Sequence, residues 1–288
     1  MWTTRPPLPP PQSVGAAGGR NDAMTDAGPP NAAQIASSAY RLPALDPDFL
    51  LGDTTRGVRF QLEYQKAEEA LRGFGVVSTL AVFGSSRIRE NGPGRQSFWY
   101  AEARAFGRLA SLEGGAARGA PPYANVVATG GGPGAMEAAN RGACEAGAPT
   151  IGFNITLPHE QQPNRFTTPA LTFRFHYFAM RKMHFAMRAK ALVAFPGGFG
   201  TLGELFEVLT LAQTGKAPTA PIVLVDEGYW RKVVDWDGLV DSGMIDARDL
   251  DLIAFAADGA DAWRRLKAAG VGAAAAGDLP LGGAPKRG

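Results

Sequence analysis

A chain of 288 residues with 45% hydrophobic side chains is long enough for one or two domains with a full core. Its formal charge of +2, from 29 basic and 27 acidic residues, supplies no field that would steer it to nucleic acid. The single Cys144 excludes a disulfide framework within the chain and fits a reducing compartment, and no apolar run approaches the ~18 residues of a membrane span.

Arg5 is followed by no apolar stretch of the secretory type, so a soluble cytoplasmic protein is the expectation. Cys144, His159, His176 and His184 match no zinc spacing, and no metal is expected. Residues 1–45 are set apart as a disordered Pro/Gly/Ala-rich tail. PPLPPP, residues 6–11, predicts polyproline II, and Met24 offers an alternative start. The domain is expected over 46–270, with a second disordered tail at 271–288.

Residues 57–72 predict an amphipathic helix with Phe60, Tyr64, Ala67 and Leu71 on one stripe. The run VVSTLAVF, residues 76–83, predicts the first strand, closed by Gly84-Ser85-Ser86-Arg87. Such a strand end is where a parallel α/β sheet places ligands, so these residues are candidates for a nucleotide contact or for an ordinary serine turn. A helix over 97–112 follows, then a strand at 125–129 and the cluster Gly130-Gly131-Gly132-Pro133-Gly134 opening a helix that Gly147 stops. Its spacing is neither the dinucleotide fingerprint nor a P-loop. Strands are predicted at 149–156 and 171–178, separated by a polar loop at 157–167 that contains His159, a loop histidine or a general acid. Residues 179–190 predict a basic helix in which Arg181 and Arg188 share a face and Met180, Met183 and Met187 form a core stripe.

Ala191 to Phe195 is a buried strand entering Pro196-Gly197-Gly198-Phe199-Gly200-Thr201, and an amphipathic helix follows. The amides at such a helix start have no partners, and the helix dipole favours an anion there, so the turn reads as a phosphate cradle or as a tight packing turn. Glu204 and Glu207 lie one turn apart on one face of that helix. A strand at 221–225, a helix over 229–240 with Trp230 and Trp236 in the core, a strand at 252–256 and a closing helix at 261–269 complete the chain. The alternation predicts an α/β fold, a doubly wound, Rossmann-like parallel sheet in a single domain. Two strand–glycine–helix units predict two walls of one nucleotide pocket.

Three pieces together resemble the LOG (Lonely Guy) family, in its longer bacterial subgroup: PGGFGTLGE at 196–204, Met180-Arg181-Lys182 upstream of it, and GGGPGAMEAANRGA from Gly130. The resemblance spans residues 80–256 and implies hydrolysis of the N-glycosidic bond of a purine nucleoside 5′-monophosphate, AMP or a cytokinin riboside monophosphate. It implies Arg181 and Glu204 as the catalytic pair. Gly131, Gly132, Gly197, Gly198, Gly200 and Thr201 would hold phosphate and ribose, with Ser85 and Lys182 as secondary contacts. It also implies a homodimer or larger assembly. No cofactor is expected, because none of Lys182, Lys190 and Lys216 stands out as a Schiff-base lysine for the decarboxylase chemistry once ascribed to the family. The alternative is a non-catalytic nucleotide or molybdenum-cofactor carrier of the same fold. The sequence leaves open which base is released.

Overall fold

The computed structural model describes residues 29–157, 162–216 and 220–272. PPLPPP, Met24, His159 and residues 273–288 lie outside them. The chain divides between Asp53 and Thr54 into two compact units, where the sequence reading finds one domain. The first unit carries helix α1 (Ala32–Ala36), 3-10 turns at Ser38–Tyr40 and Pro43–Leu45, and helix α2 (Pro47–Leu51). The stretch to residue 45 is therefore not structureless in its described part. Local chemistry explains this: Pro43 and Pro47 stand in first turns, and Asp46 accepts a hydrogen bond from the Phe49 amide at 3.3 Å.

In the second unit, helix α3 (Arg56–Phe74) precedes a seven-stranded sheet. The strands are β1 (Thr79–Phe83), β2 (Val126–Thr129), β3 (Ile151–Ile155), β4 (Thr172–Phe175), β5 (Ala189–Ala194), β6 (Ile222–Val225) and β7 (Ile253–Ala256). Their order is β4-β3-β2-β1-β5-β6-β7 and every pairing is parallel, which is the doubly wound α/β fold expected. The chain builds outward from β1 to β4, then returns to lay β5 on the other side of β1. The order thus reverses between β1 and β5, and the crevice at their carboxyl ends is open to a ligand.

Alternation along the strands buries both faces. Ala81, Phe83, Leu192 and Ala194 join one core with Leu71 of α3, Phe185 and Leu205; Leu80, Val82, Ala191 and Val193 join the other. The second face is covered by α4 (Gln96–Gly114), α5 (Ala135–Glu145) and α10 (Gly259–Ala268), whose Phe106, Ala139 and Trp263 lie in that core. The first is covered by α3 with α6 (Phe178–Arg188), α7 (Phe199–Gln213), α8 (Glu227–Val233) and α9 (Trp236–Asp241). Helices α4 and α5 approach so closely that a Cβ on Gly142 would overlap the carbonyl oxygen of Arg104. Gly142→Ala is expected to lower stability by about 1–3 kcal/mol, through overpacking. A urea titration with an unchanged midpoint would show that the two helices can part without loss.

Two elements differ from expectation. The single helix predicted over 229–240 is two, because the Asp235 side chain accepts from the Gly238 amide at 2.9 Å and starts α9 afresh. Trp230 and Trp236 are nonetheless buried, as expected. In α6 the methionine stripe holds only in part: Met180 packs against the core but Met187 is 45% exposed, and the buried residues are Arg181, His184 and Phe185. His184 sits among Tyr64, Phe153 and Phe175, with ring centroids 5.5, 6.0 and 5.5 Å away. That aromatic enclosure holds its pKa below the usual value by desolvation.

Candidate active site

Three loops meet at the carboxyl edge where the strand order reverses. The loop after β1 is stitched to both glycine turns: the Ser85 amide donates to the Pro196 carbonyl at 3.1 Å, and the Ala135 amide donates to the Ser85 carbonyl at 3.1 Å. A cleft of about 890 Å³ opens between them. Ser85, Arg181, Lys182, Gly197, Gly198, Gly200, Thr201 and Glu204 all line it, as do Ser86 and Arg87. Residues as distant in the chain as Ser85 and Val233 are thus brought to one cavity.

Gly131 and Gly132 are placed differently. Both are buried behind the wall, and Gly130 lines the cleft instead. The Gly131 amide donates to the Thr129 hydroxyl at 2.9 Å, which turns the peptide inward. The Gly131 carbonyl accepts from the Asn164 amide at 2.8 Å and the Gly132 carbonyl from the Asn164 side chain at 3.0 Å. A Cβ on Gly131, at φ +68°, would overlap the Asn154 side-chain oxygen. These two glycines shape the turn from behind.

Arg181 owes its position to helix α3. The carboxylate of Glu63 accepts from the His176 amide at 2.7 Å and the Tyr177 amide at 3.2 Å, just before α6 begins. It fixes the two residues that lead into the helix, and its negative charge lies near the helix start, where Tyr177 offers no side-chain cap. One turn in, the Arg181 guanidinium forks. Its Nε donates to the Phe153 carbonyl in the middle of β3 (2.8 Å), and its Nη2 donates to Glu204 Oε1 (2.7 Å). The two side chains are 8% and 14% exposed, so the pair is held almost out of water. Lys182 and Glu207 form a second, wetter pair at 2.5 Å. The two carboxylates do share a face of α7, and each has taken one cation from α6.

Burial pushes the Glu204 carboxyl above its ordinary range; the Arg181 and Lys182 charges pull it back, and the Glu207 charge adds to the upward push. Facing this pair is the start of α7. Gly198 provides no side-chain cap, and the first helical bond runs from the Leu202 amide to the Gly198 carbonyl. Among the described residues no acceptor is recorded for the amides from Gly197 to Thr201. Five successive N–H groups with a helix dipole behind them suit an anion.

Sequence reasoning missed Met136, Asn154, Ile155, Leu157, Phe178, Tyr229 and Val233, which complete the wall. For Asn154, Ile155 and Tyr229 a signal existed, since each lies at or just beyond the carboxyl end of a strand. Leu157 and Phe178, two and three residues beyond the ends of β3 and β4, share that mark, and Val233 does not.

A family model described as "Possible lysine decarboxylase" matches residues 136–266. The chain is 37% identical over 89 residues to the cytokinin riboside 5′-monophosphate phosphoribohydrolase LOG7 of Arabidopsis thaliana, covering 30% of this chain and 41% of that protein. It is 41% identical over 66 residues to LOG1 of the same plant, 23% of this chain and 31% of that protein. The chain therefore spans less than half the length of these curated relatives. Among solved structures it is similar to the structural-genomics protein TM1055, with a TM-score of 0.48 and 22% identity over 66% of this chain and 99% of that one. A molybdenum cofactor binding protein from Rippkaea orientalis matches with a TM-score of 0.45 and 20% identity, over 67% of this chain and 96% of that one. The family match over residues 136–266 runs from the cleft's Met136 through the Arg181–Glu204 pair to α10, so the stretch that is similar to possible lysine decarboxylases and includes the part alike to the LOG proteins is the one that builds most of the cleft.

Proposed function

We propose that this chain hydrolyses the N-glycosidic bond of a purine nucleoside 5′-monophosphate, AMP or a cytokinin riboside monophosphate, to the free base and ribose 5-phosphate. The observation that carries the reading is a nearly buried Glu204–Arg181 pair set one helical turn from free amides suited to a phosphate. The 5′-phosphate occupies the amides at the start of α7, where Thr201 and Gly200 stand. The ribose then lies along the first turn of that helix, beside Glu204. Cleavage develops positive charge on the ribose ring, which a carboxylate near C1′ stabilises. Glu204 also orients the water whose oxygen bonds to C1′ as the C1′–N bond breaks. The bonding electrons leave with the base, and a proton returns to it from solvent. Arg181 holds Glu204 in place through a guanidinium anchored on the Phe153 carbonyl. The LOG relatives, named for this reaction, support the assignment.

Decarboxylation through a pyridoxal phosphate imine fits these residues poorly. The lysine in the cleft wall, Lys182, is bound to the Glu207 carboxylate at 2.5 Å, so its amine is not free to condense.

The test is incubation of the purified protein with AMP and with an isoprenylated analogue, with chromatography of the products. Equimolar base and ribose 5-phosphate are expected. Tight binding without base release would turn the reading to a carrier. A pH profile adds a second check. Glu204 acts ionised, and its pKa is raised, so turnover falls as the pH drops through that raised value. Glu207→Gln removes one upward push, and the acid limb is expected to move to lower pH; a limb that stays in place would mean that another group titrates.

A further inference from the structure

We infer that Tyr229 is a positioning residue, whose hydroxyl holds the Gly197–Gly198 peptide with its amide free for the phosphate. The inference rests on the reading of the cleft as a nucleoside monophosphate site. It begins from a backbone outlier. Asp226, at the end of β6, is one of two described non-glycine residues with positive φ (+71°, ψ +78°), a conformation that costs free energy in an L residue.

The surroundings hold Asp226 there from four sides. Its amide donates to the Ala256 carbonyl at 2.9 Å, next to the end of β7. One carboxylate oxygen accepts from Arg95 Nε at 2.8 Å and Trp99 Nε1 at 2.7 Å, both from the α4 side of the sheet. The other accepts from the Tyr229 amide at 3.2 Å and so starts α8. Trp99 stands edge-on to the Tyr229 ring, 5.6 Å between centroids, and the buried Trp230 donates to the Val225 carbonyl at 2.9 Å. Helix α8 is only seven residues long, yet its start is among the most tethered points of this edge.

What the tether delivers is the Tyr229 hydroxyl, which donates to the Gly197 carbonyl at 2.7 Å. The preceding carbonyl, that of Pro196, accepts from the Ser85 amide at 3.1 Å. In a trans peptide the N–H points opposite to the C=O. Two consecutive anchored carbonyls therefore set the direction of two consecutive amides, those of Gly197 and Gly198, which head the row of free N–H groups. The peptide between them joins two glycines, and such a unit turns over at little steric cost unless something holds it. Tyr229 is the holder, and it costs the site no charge.

The experiment compares wild type with Tyr229→Phe, which keeps the ring and its packing. KM for AMP is expected to rise about tenfold, the size of one lost hydrogen bond, with kcat little changed. Ribose 5-phosphate as a competitor should weaken by the same factor, while adenosine, which has no phosphate, should not. Asp226→Gly keeps the left-handed backbone but cuts the tether, and should shift both phosphate ligands in the same direction. A purely structural tyrosine would lower thermal stability without separating phosphate ligands from adenosine, and that result overturns the inference. So does an unchanged KM. Binding of AMP measured by calorimetry keeps the two claims apart. If wild type binds AMP but releases no base, the hydrolase reading falls and the Tyr229 comparison still stands on affinity. If wild type binds neither AMP nor ribose 5-phosphate, both fall.

Discussion

Glu204→Gln is expected to reduce base release from AMP by about a thousandfold or more while the protein stays folded. The substitution keeps an amide oxygen where Oε1 accepts from Arg181 Nη2, so the 2.7 Å contact and the surrounding packing have a replacement. What disappears is the negative charge that faces the developing cation of the ribose. A site of this enclosure makes that charge worth far more than it would be in water. A thousandfold is about 4 kcal/mol of transition-state stabilisation. The measurement is kcat/KM for AMP set beside the denaturation midpoint of the same preparation. Turnover within tenfold of wild type would remove Glu204 from the chemistry and leave it a structural partner of Arg181.

Replacing Arg181 should have two separable effects. Arg181→Lys retains the charge but loses the fork, since one ammonium cannot reproduce the planar geometry that serves the Phe153 carbonyl and Glu204 together. Activity is expected to fall by about a hundredfold with a small change in stability. Arg181→Met goes further, because it leaves Glu204 enclosed with no direct partner. Removing one member of a buried pair costs about 3–5 kcal/mol. The pH dependence has a definite sign. With Arg181 gone, the folded-state pKa of Glu204 rises further, because the downward pull of the guanidinium is lost. The penalty is therefore absent below the unfolded carboxyl pKa and complete above the folded one, so Arg181→Met should look closest to wild type in acid and worst at neutral pH. The double variant Arg181→Met/Glu204→Gln should recover part of the stability and none of the activity. A uniform stability loss at all pH values would show that Arg181 acts by packing alone.

The sheet was legible because strand runs such as VVSTLAVF and PIVLV stand between turn signals, and because Gly131 and Gly132 announce the β2 turn as clearly as Gly197 and Gly198 announce the other. Arg181 and Arg188 were also readable as a pair: a spacing of seven put them on one face, and both side chains are indeed inward, 8% and 11% exposed. Which face was fully inward was not readable, because the methionine stripe reaches the core at Met180 but is exposed at Met187. Likewise the second glycine cluster signalled a turn but not its direction, and the Thr129 hydroxyl and Asn164 turn Gly131 and Gly132 away from the cleft.

By itself the amino-acid order determined the strands, the glycine turns, the helix that starts at the second of them and the identity of the acid one turn inside it. These are local properties, governed by hydrophobic period, by backbone freedom and by amides left over at a helix start. Tertiary structure alone decided that Glu204 meets Arg181, that the guanidinium leans on Phe153, and that Glu63 of α3 holds the residues leading into α6. It also brought Tyr229 and Asp226 to the turn from beyond β6. Each of these depends on which strands become neighbours, and strand order follows from packing of the whole sheet, a sum of long-range contacts that no window of sequence contains.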